Sequence, residues 1–561
     1  MSGDPQREFH FSPRANRAHE INWRPWSAEA FEEAAAQDRP ILLSISAVWC
    51  HWCHVMDETT YSDQGVIDVV NGEYVPVRVD NDVRPDINQR YNMGGWPTTA
   101  FLTPEGDLLT GGTYLPPDQM QQAASKVATI YRTQKEEIEA RTEEGRQRAG
   151  ATVAASAGAL DPGLVDRILG AAEGAYDEVN GGFGSAPKFP QTEALLLLAE
   201  QAALRGEPRL LEMARHTLAQ MAGGGTYDHV EGGFFRYSTT ADWSVPHFEK
   251  MLEDHAGLLS ALAHTGQGDV LDDAVRYLDT VLRDPDTGLY AGSQDADEHY
   301  YGQDAGGRAT LAAPYIDRRV YASWNCQLAV GLLEADRLLD RPVLRERAEQ
   351  LLTRLFADLY DAGTGMRHLA GVGGQLGDQV WALLAAVRAY SAGLGEAWRD
   401  RAVELVRHLE GAYGDPELGG YFDHDANDPL GRLRERLKPL PENATAAIGL
   451  LELDTLLGDP AAGHRDRARR ALESVSALAT RYGLLGAVFA RALDRLQRPA
   501  VEVTTGSSEL AGTAARAHPY AVIEPSGDER ATVCVGTSCL APTADPEQVR
   551  EAVTQAAAVR G

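Results

Sequence analysis

Apolar and polar positions follow three different rhythms along this chain. Up to residue 148, short apolar runs of strand length, at 41–46, 74–79 and 98–102, are interleaved with helical stretches at 27–37 and 117–148. Their β-branched and aromatic content predicts strands, so 1–148 reads as a small α/β sheet domain. From 149 to 500 apolar residues recur at i, i+3 and i+4 in segments rich in Ala, Leu, Arg and Glu. That spacing predicts about a dozen helices, starting near 162, 192, 207, 247, 269, 324, 341, 375, 396, 441, 461 and 483. From 501 to 561 the rhythm changes again: 501–505 and 520–524 read as short strands and 546–559 as a terminal helix, a short α+β extension.

A glycine-centred turn followed by an aromatic or apolar residue recurs through the helical zone: GGF at 181–183, GGF at 232–234, TGLY at 287–290, TGM at 364–366, GGYF at 419–422 and a weaker LLGAVF ending at Phe489. Each glycine alone could be an ordinary helix cap. Six of them among a dozen helices predict six helical hairpins. Neither end shows a polar capping repeat, so a closed (α/α)6 barrel fits better than an open solenoid.

Composition narrows the function classes. The 561 residues carry 82 Asp+Glu against 52 Lys+Arg, a formal net charge of −30. Such a surface repels phosphate backbones, no basic cluster offsets it, and nucleic-acid binding is not expected. No apolar stretch approaches the ~18 residues of a membrane span, so no membrane partner is expected. Only five of the basic residues are Lys. Many carboxylates with few lysines match the acidic chains of salt-loving organisms, which makes halophily an expectation. The N-terminus has no apolar h-region, which predicts a cytoplasmic protein. Five Cys is few and odd, which predicts reduced thiols and no disulfide framework.

The most informative segment is Trp49-Cys50-His51-Trp52-Cys53-His54, directly after the first predicted strand. Two Cys two residues apart at a strand-to-helix junction form the arrangement of a thioredoxin-like redox site. Cys50 at the helix N-terminus would be the attacking thiol, its pKa lowered by the helix dipole and by a protonated His51, and Cys53 would resolve. Two other readings compete. The two Cys with His51 and His54 could bind zinc, although no second pair at ordinary spacing supports a metal site, or the thiols could be inert. Pro97 in Gly94-Gly95-Trp96-Pro97-Thr98 lies 44 residues beyond Cys53, where thioredoxin-like folds place the cis-proline that faces the dithiol. Cys50, Cys53 and Pro97 are therefore the candidate catalytic residues.

Four blocks then match a known family: WCHWCHVM (49–56), the stretch 77–117 containing VRVDNDVRPDINQRYNMGGWPTT, GGFGSAPKFP (181–190) and GGTYDHVEGGFFRYSTTADWSVPHFEKML (224–252). They resemble the spermatogenesis-associated protein 20 family. The resemblance implies a thioredoxin-like domain joined to an (α/α)6 domain similar to N-acylglucosamine 2-epimerases and six-hairpin glycosidases. This chain departs from the pattern in having SQDADE (293–298) and SWNC (323–326) only some 25 residues apart, with Cys326 in place of the usual Gly, which implies a barrel wall or rim trimmed on one side.

In such a barrel, loops at one end of the inner helices frame a cup. Candidate lining residues are Tyr227, Asp228, His229, Arg236, Tyr237, Trp243, His247, Glu249 and Asp254, with Asp295, Asp297, Trp324 and Asn325 as neighbours. Carboxylates and His could act as acid and base on a sugar and aromatic faces could stack on its ring. Equally, His247 to Lys250 could be a capping and ion-pair network at a helix start, and Asp228-His229 an ordinary buried pair. Cys534 and Cys539 are expected to be inert thiols, with pairing to each other or to Cys326 as the alternative. No Walker A loop and no GxGxxG appears, so no cofactor is expected. Two functions remain: thiol-disulfide redox activity on a protein disulfide, with the barrel binding a substrate or partner, and a carbohydrate epimerase or hydrolase regulated by the thioredoxin-like part. A scaffold without activity is a third.

Overall fold

The computed structural model describes residues 8–154, 156–425, 428–536 and 538–557. The chain first runs α1 (Ala28–Gln37), β1 (Ile41–Ser46), α2 (His51–Glu58), α3 (Gln64–Glu73), β2 (Val75–Asp80), α4 (Pro85–Tyr91), β3 (Thr98–Leu102), β4 (Leu108–Gly112), α5 (Pro117–Thr133) and α6 (Lys135–Ala154). The sheet order is β2-β1-β3-β4, with β1 parallel to β2 and antiparallel to β3. All of β1 is buried because helices cover both sheet faces. Ile41, Leu43 and Ile45 pack with Trp26, Phe31 and Tyr91, and Leu42 with Val66, Val70, Met120 and Ala124. A strand covered on both faces needs a continuous apolar run, and residues 41–46 supply one. This is a thioredoxin-like α/β unit.

The helical part comprises α7 (Leu164–Ala175), α8 (Thr192–Arg205), α9 (Pro208–Gly223), α10 (Leu252–Thr265) and α11 (Gly268–Tyr277). It continues through the short α12 (Glu298–Tyr301) and α13 (Ala305–Arg308), then α14 (Ala322–Leu339), α15 (Pro342–Leu359), α16 (Leu376–Ser391), α17 (Glu396–His408), α18 (Leu440–Leu457), α19 (His464–Glu473), α20 (Ser476–Tyr482) and α21 (Ala487–Gln497). The inner helices α8, α10, α14, α16, α18 and α21 each pack on the next, and α21 packs back on α8, so the ring closes. Outer helices α9, α11, α15, α17 and α19 back their inner partners, while α7 backs α21. The first helix thus covers the last, and the (α/α)6 toroid leaves no apolar end to cap.

Five of the six glycine turns share one construction, placed just before an inner helix or its rim segment. Asp177, Asp228, Asp284, Asp361 and Asp415 each accept the backbone N–H groups two and three residues on. Four residues after each Asp stands a glycine in the left-handed region: Gly181, Gly232, Gly288, Gly365 and Gly419. In three of the turns a buried lysine Nζ joins the Asp carboxylate to that glycine's carbonyl: Lys188 at 2.6 and 2.8 Å, Lys250 at 2.7 and 2.9 Å, Lys438 at 2.7 and 2.6 Å. A compact ammonium with three rotatable donors suits two such acceptors better than a flat guanidinium. The sixth motif is different, since 483–486 form a 3-10 turn running into α21.

One expectation is corrected in the barrel, and another is narrowed from wall or rim to the rim. Residues 247–250 do not start a helix: Pro246–His247 and Lys250–Met251 are short strands paired with Tyr237–Ser238 and Ser293–Gln294, and α10 begins at Leu252. The shortening between SQDADE and SWNC falls on the rim, where 293–294 pairs with 316–317, and the ring of inner helices stays complete.

The C-terminal strands 501–505, 521–525, 532–535 and 538–539 form a separate sheet with α22 (Ser508–Ala517) and α23 (Pro546–Ala557), around Val501, Val503, Leu510, Ile523, Val533, Val549 and Val553. Residues 558–559 of the predicted helix lie outside the described residues. Cys534 and Cys539 are disulfide-bonded, against the expectation of inert thiols and of reduced cysteines throughout. They face each other in the hairpin register, which brings their Cα atoms to 4.0 Å. No helix among the described residues is long and apolar enough to cross a membrane.

Candidate functional site

At the end of β1 the chain turns through Ala47 to Trp49 into α2, which makes Cys50 the N-cap residue, its Sγ accepting the Cys53 N–H at 3.2 Å. The Trp96–Pro97 peptide is cis. Trp96 meets Trp49 edge-on, ring centroids 5.4 Å apart, in one cluster with Ala47, Cys50 and Cys53. The same cluster contains Met251 at the foot of α10 and Trp324 of α14, and Arg236 stacks over Trp49 at 4.2 Å. The barrel therefore covers the dithiol: Cys50 is 4% exposed and Cys53 1%.

This burial reverses the expected acidity. Desolvation pushes the Cys50 thiol well above its ordinary value, and Cys53 and the charge of Glu249 push the same way. Loss of water outweighs the helix N-terminus. His51 leans edge-on against Trp52 at 5.9 Å. His54 Nδ1 lies 3.7 Å from Asp295 Oδ2. Burial lowers His54 to about 4 and raises Asp295 to about 8, so this pair is neutral near pH 7. Among the described residues no three His, Cys, Asp or Glu side chains converge closely enough to hold a metal ion.

Beside this cluster, at the N-terminal ends of the inner helices, lies a cup of about 540 Å³. The thioredoxin-like domain roofs it with Asn81, Asp82, Pro85 and Gln89, while Arg236, Asp254, Trp324, His368, Trp381 and Glu442 are among the barrel residues that line it. Buried and half-buried contacts fix the roof. His368 Nε2 is 2.6 Å from the Asp82 carbonyl and its Nδ1 3.1 Å from Asp378, Arg90 pairs with Asp423 at 2.6 Å, and Arg319 with Asp80 at 2.8 Å. Burial is the largest single influence and lowers the His368 pKa, but the charge and hydrogen bond of Asp378, the Asp82 carbonyl and the charge of Asp86 together outweigh it and raise it to about 9. A cationic His368 donates in both directions.

The carboxylates here are poised near neutrality. Burial and the charge of Asp80 raise Asp82 to about 7, against a 2.7 Å hydrogen bond from Trp49 Nε1. Burial raises Asp254 to about 7, with Glu253 and Glu249 adding to it and Arg236, 3.9 Å away, opposing. Glu442 is raised to about 7 by burial and by the charges of Asp423 and Glu253. Groups titrating there can both hold and release protons at working pH.

Of the residues singled out in the sequence, Arg236, Asp254 and Trp324 line the cup. Glu249 and Asp295 are buried near the dithiol, and His247 Nδ1 sits 2.7 Å from Glu249 Oε2 while its ring stacks on Tyr237. The remainder build the frame. Asp228 holds a glycine turn together with Lys250 and Arg308. Tyr227 and Trp243 are core residues, and Trp243 Nε1 donates to the Asn180 carbonyl at 3.0 Å. Exposed His229 contacts the Gly224 carbonyl, Asp297 caps α12, and Asn325 clamps the Tyr290 backbone. Sequence reasoning missed Asp82, Glu253, His368, Trp381 and Glu442. Asp82 lay inside a recognised block, but nothing local showed that it would roof a cavity formed by another domain.

The fold is thus a thioredoxin-like roof on an (α/α)6 toroid. Residues 12–149 match the family Thioredox_DsbH, described as protein of unknown function, DUF255. The chain is 32% identical over 354 residues to spermatogenesis-associated protein 20 of Homo sapiens, covering 58% of this chain and 43% of that one. It is similar to the spermatogenesis-associated protein 20 proteins over these residues and spans less than half the length of the curated relatives it matches. Among solved structures it is similar to a D-mannose isomerase (12% identity, 55% of this chain and 83% of that one, TM-score 0.45) and to a thioredoxin from Thermus thermophilus (23% identity, 20% and 90%, TM-score 0.19).

Proposed function

We propose that the protein is an enzyme that binds a small polyhydroxylated molecule in the roofed cup and transforms it by carboxylate acid–base chemistry. The observation that carries this reading is the trio Asp82, Asp254 and Glu442: three carboxylates from distant parts of the chain, all poised near pH 7 around one cavity. One such group in its protonated form can give a proton to a leaving or ring oxygen while an ionised neighbour takes one. Trp324 and Trp381 offer faces on which a sugar ring stacks. The test is a thermal-shift and turnover screen of mono- and disaccharides on the wild type, Asp254→Asn and Glu442→Gln. A ligand that raises Tm in all three but is turned over about 100-fold more slowly by Asp254→Asn is the expected result. Full turnover by both variants, or no ligand at all, refutes the reading.

A second reading, thiol-disulfide exchange, is favoured by the Cys53 N–H to Cys50 Sγ contact and by the packing of Trp96 in one cluster with both cysteines. Cys50 thiolate would attack one sulfur of a substrate disulfide and expel the other as a thiolate. Cys53 would then attack Cys50 Sγ and release the second thiol, so the substrate gains two electrons and two protons and the enzyme keeps a Cys50–Cys53 disulfide. The barrel cover on Cys50 favours a small disulfide over a protein one. Reduction of a small aromatic disulfide and of insulin by wild type and Cys50→Ser separates the two readings: activity that survives the substitution refutes exchange at this site.

A further inference from the structure

The charges around the cup do not balance. Of the carboxylates that line it, Glu193 is paired with Arg491 at 2.6 Å, Asp423 with Arg90 at 2.6 Å and Asp378 with His368 at 3.1 Å, and Asp82 takes the Trp49 N–H at 2.7 Å. Glu253, Asp254 and Glu442 remain. Facing them is Arg236, drawn over the rings of Trp49 and Trp96, with its Nε 3.9 Å from Asp254, too far for a hydrogen bond. Glu442 Oε2 and Asp254 Oδ2 are shielded from solvent and have no hydrogen-bond partner in the protein. Buried carboxylate oxygens are costly to leave in that state. The same cavity presents the indoles of Trp324 and Trp381, and an indole face attracts a cation once water is excluded.

We propose that the ligand of the cup carries a protonated amine, received by Glu253, Asp254 and Glu442 and packed against Trp324 and Trp381. The proposal rests on the reading of the cup as a ligand site and names the chemical class it takes. An organic cation fits better than a metal ion, because hard cations take six or more oxygen ligands in a tight shell and no three side chains among the described residues converge in that way. The volume, about 540 Å³, suits a small molecule. The upward shift of Asp254 and Glu442 agrees with this, since burial and neighbouring carboxylates raise both groups and Arg236 offsets them only in part at Asp254.

Titration calorimetry on the full chain with three probes tests the proposal: 6-amino-6-deoxyglucose, glucose, which differs from it by one hydroxyl in place of the ammonium, and putrescine, which has amines and no ring. We expect the aminosugar to bind at least 10-fold more tightly than glucose, with that preference lost in Glu442→Gln and Glu253→Gln. Trp381→Leu, which leaves the charges in place, should weaken the amine several-fold and serves if a carboxamide variant fails to fold. Glucose binding as tightly as the aminosugar overturns the amine proposal while leaving a sugar cup intact. Putrescine binding without either sugar supports the amine and removes the polyhydroxylated skeleton instead. No heat from either amine overturns the proposal.

Discussion

The dithiol turn and the cup share Met251, Arg236 and Trp324 as a common wall, yet they distribute chemistry and access in opposite ways. At the turn, the reactive groups are set by four consecutive residues, and access is withheld by a domain that begins more than a hundred residues later. At the cup, access is built into the toroid and the reactive groups come from positions as far apart as 82 and 442. Local spacing decides which atoms can react. Desolvation by distant segments decides whether they ionise, and in this protein it silences a thiol while holding carboxylates at the balance point.

The comparison breaks most visibly if the thiols prove open. Cys50 and Cys53 should label with iodoacetamide on the order of 100-fold more slowly in the native protein than in guanidinium. Trp324→Ala should recover much of that rate, and equal native and unfolded rates would remove the cover from the account. The frame behind both sites should respond next. Lys250→Ala leaves Asp228 buried with Arg308 alone and should cost about 3–5 kcal/mol in denaturant melts, whereas Lys126→Ala on the exposed face of α5 should cost nothing measurable.

A smaller effect concerns pH. Asp254 and Glu442 hold protons more tightly folded than unfolded, about 7 in each case against ordinary values of 3.8 and 4.5. Their contribution is therefore fully present below about pH 4, falls as pH rises toward 7 and is constant above it. Asp254→Asn or Glu442→Gln should flatten that fall and stabilise the protein at pH 8 by about 1 kcal/mol or more relative to pH 4. A variant with an unchanged pH slope would show that the cup is wetter than its carboxylates indicate. Least felt at either site, Cys539→Ser should cost about 2 kcal/mol or less, confined to the C-terminal sheet, with no change in thiol labelling or in the cup.

Much of the architecture was legible in the sequence because it is local. The apolar run of β1 followed by Cys50 and Cys53, the Trp96–Pro97 pair before β3, and the i, i+3, i+4 stripes of the paired helices all express contacts within one element or between neighbours. The glycine turns were legible as repeats, but their cause was not: the Asp four residues earlier and the distant lysine belong to the pattern only once Lys188, Lys250 and Lys438 are seen reaching back to it. What stayed hidden depends on long-range closure. Residues 246–251 carry a helix-like pattern yet become strands because the rim pairs them with 237–238 and 293–294. Cys534 and Cys539 meet only through a hairpin register. Glu442 and Asp82 share a cavity because two domains meet.

The buried lysines also give the molecule an uneven chemical surface. Three of the five lysine ammonium groups are locked inside turns, and the other two, Lys126 and Lys135, lie on the adjoining helices α5 and α6 of the roof domain. Side-chain coupling to an amine-reactive support would therefore tether every copy through those two helices, turning a structural economy into a uniform orientation for single-molecule or surface-binding measurements of the cup.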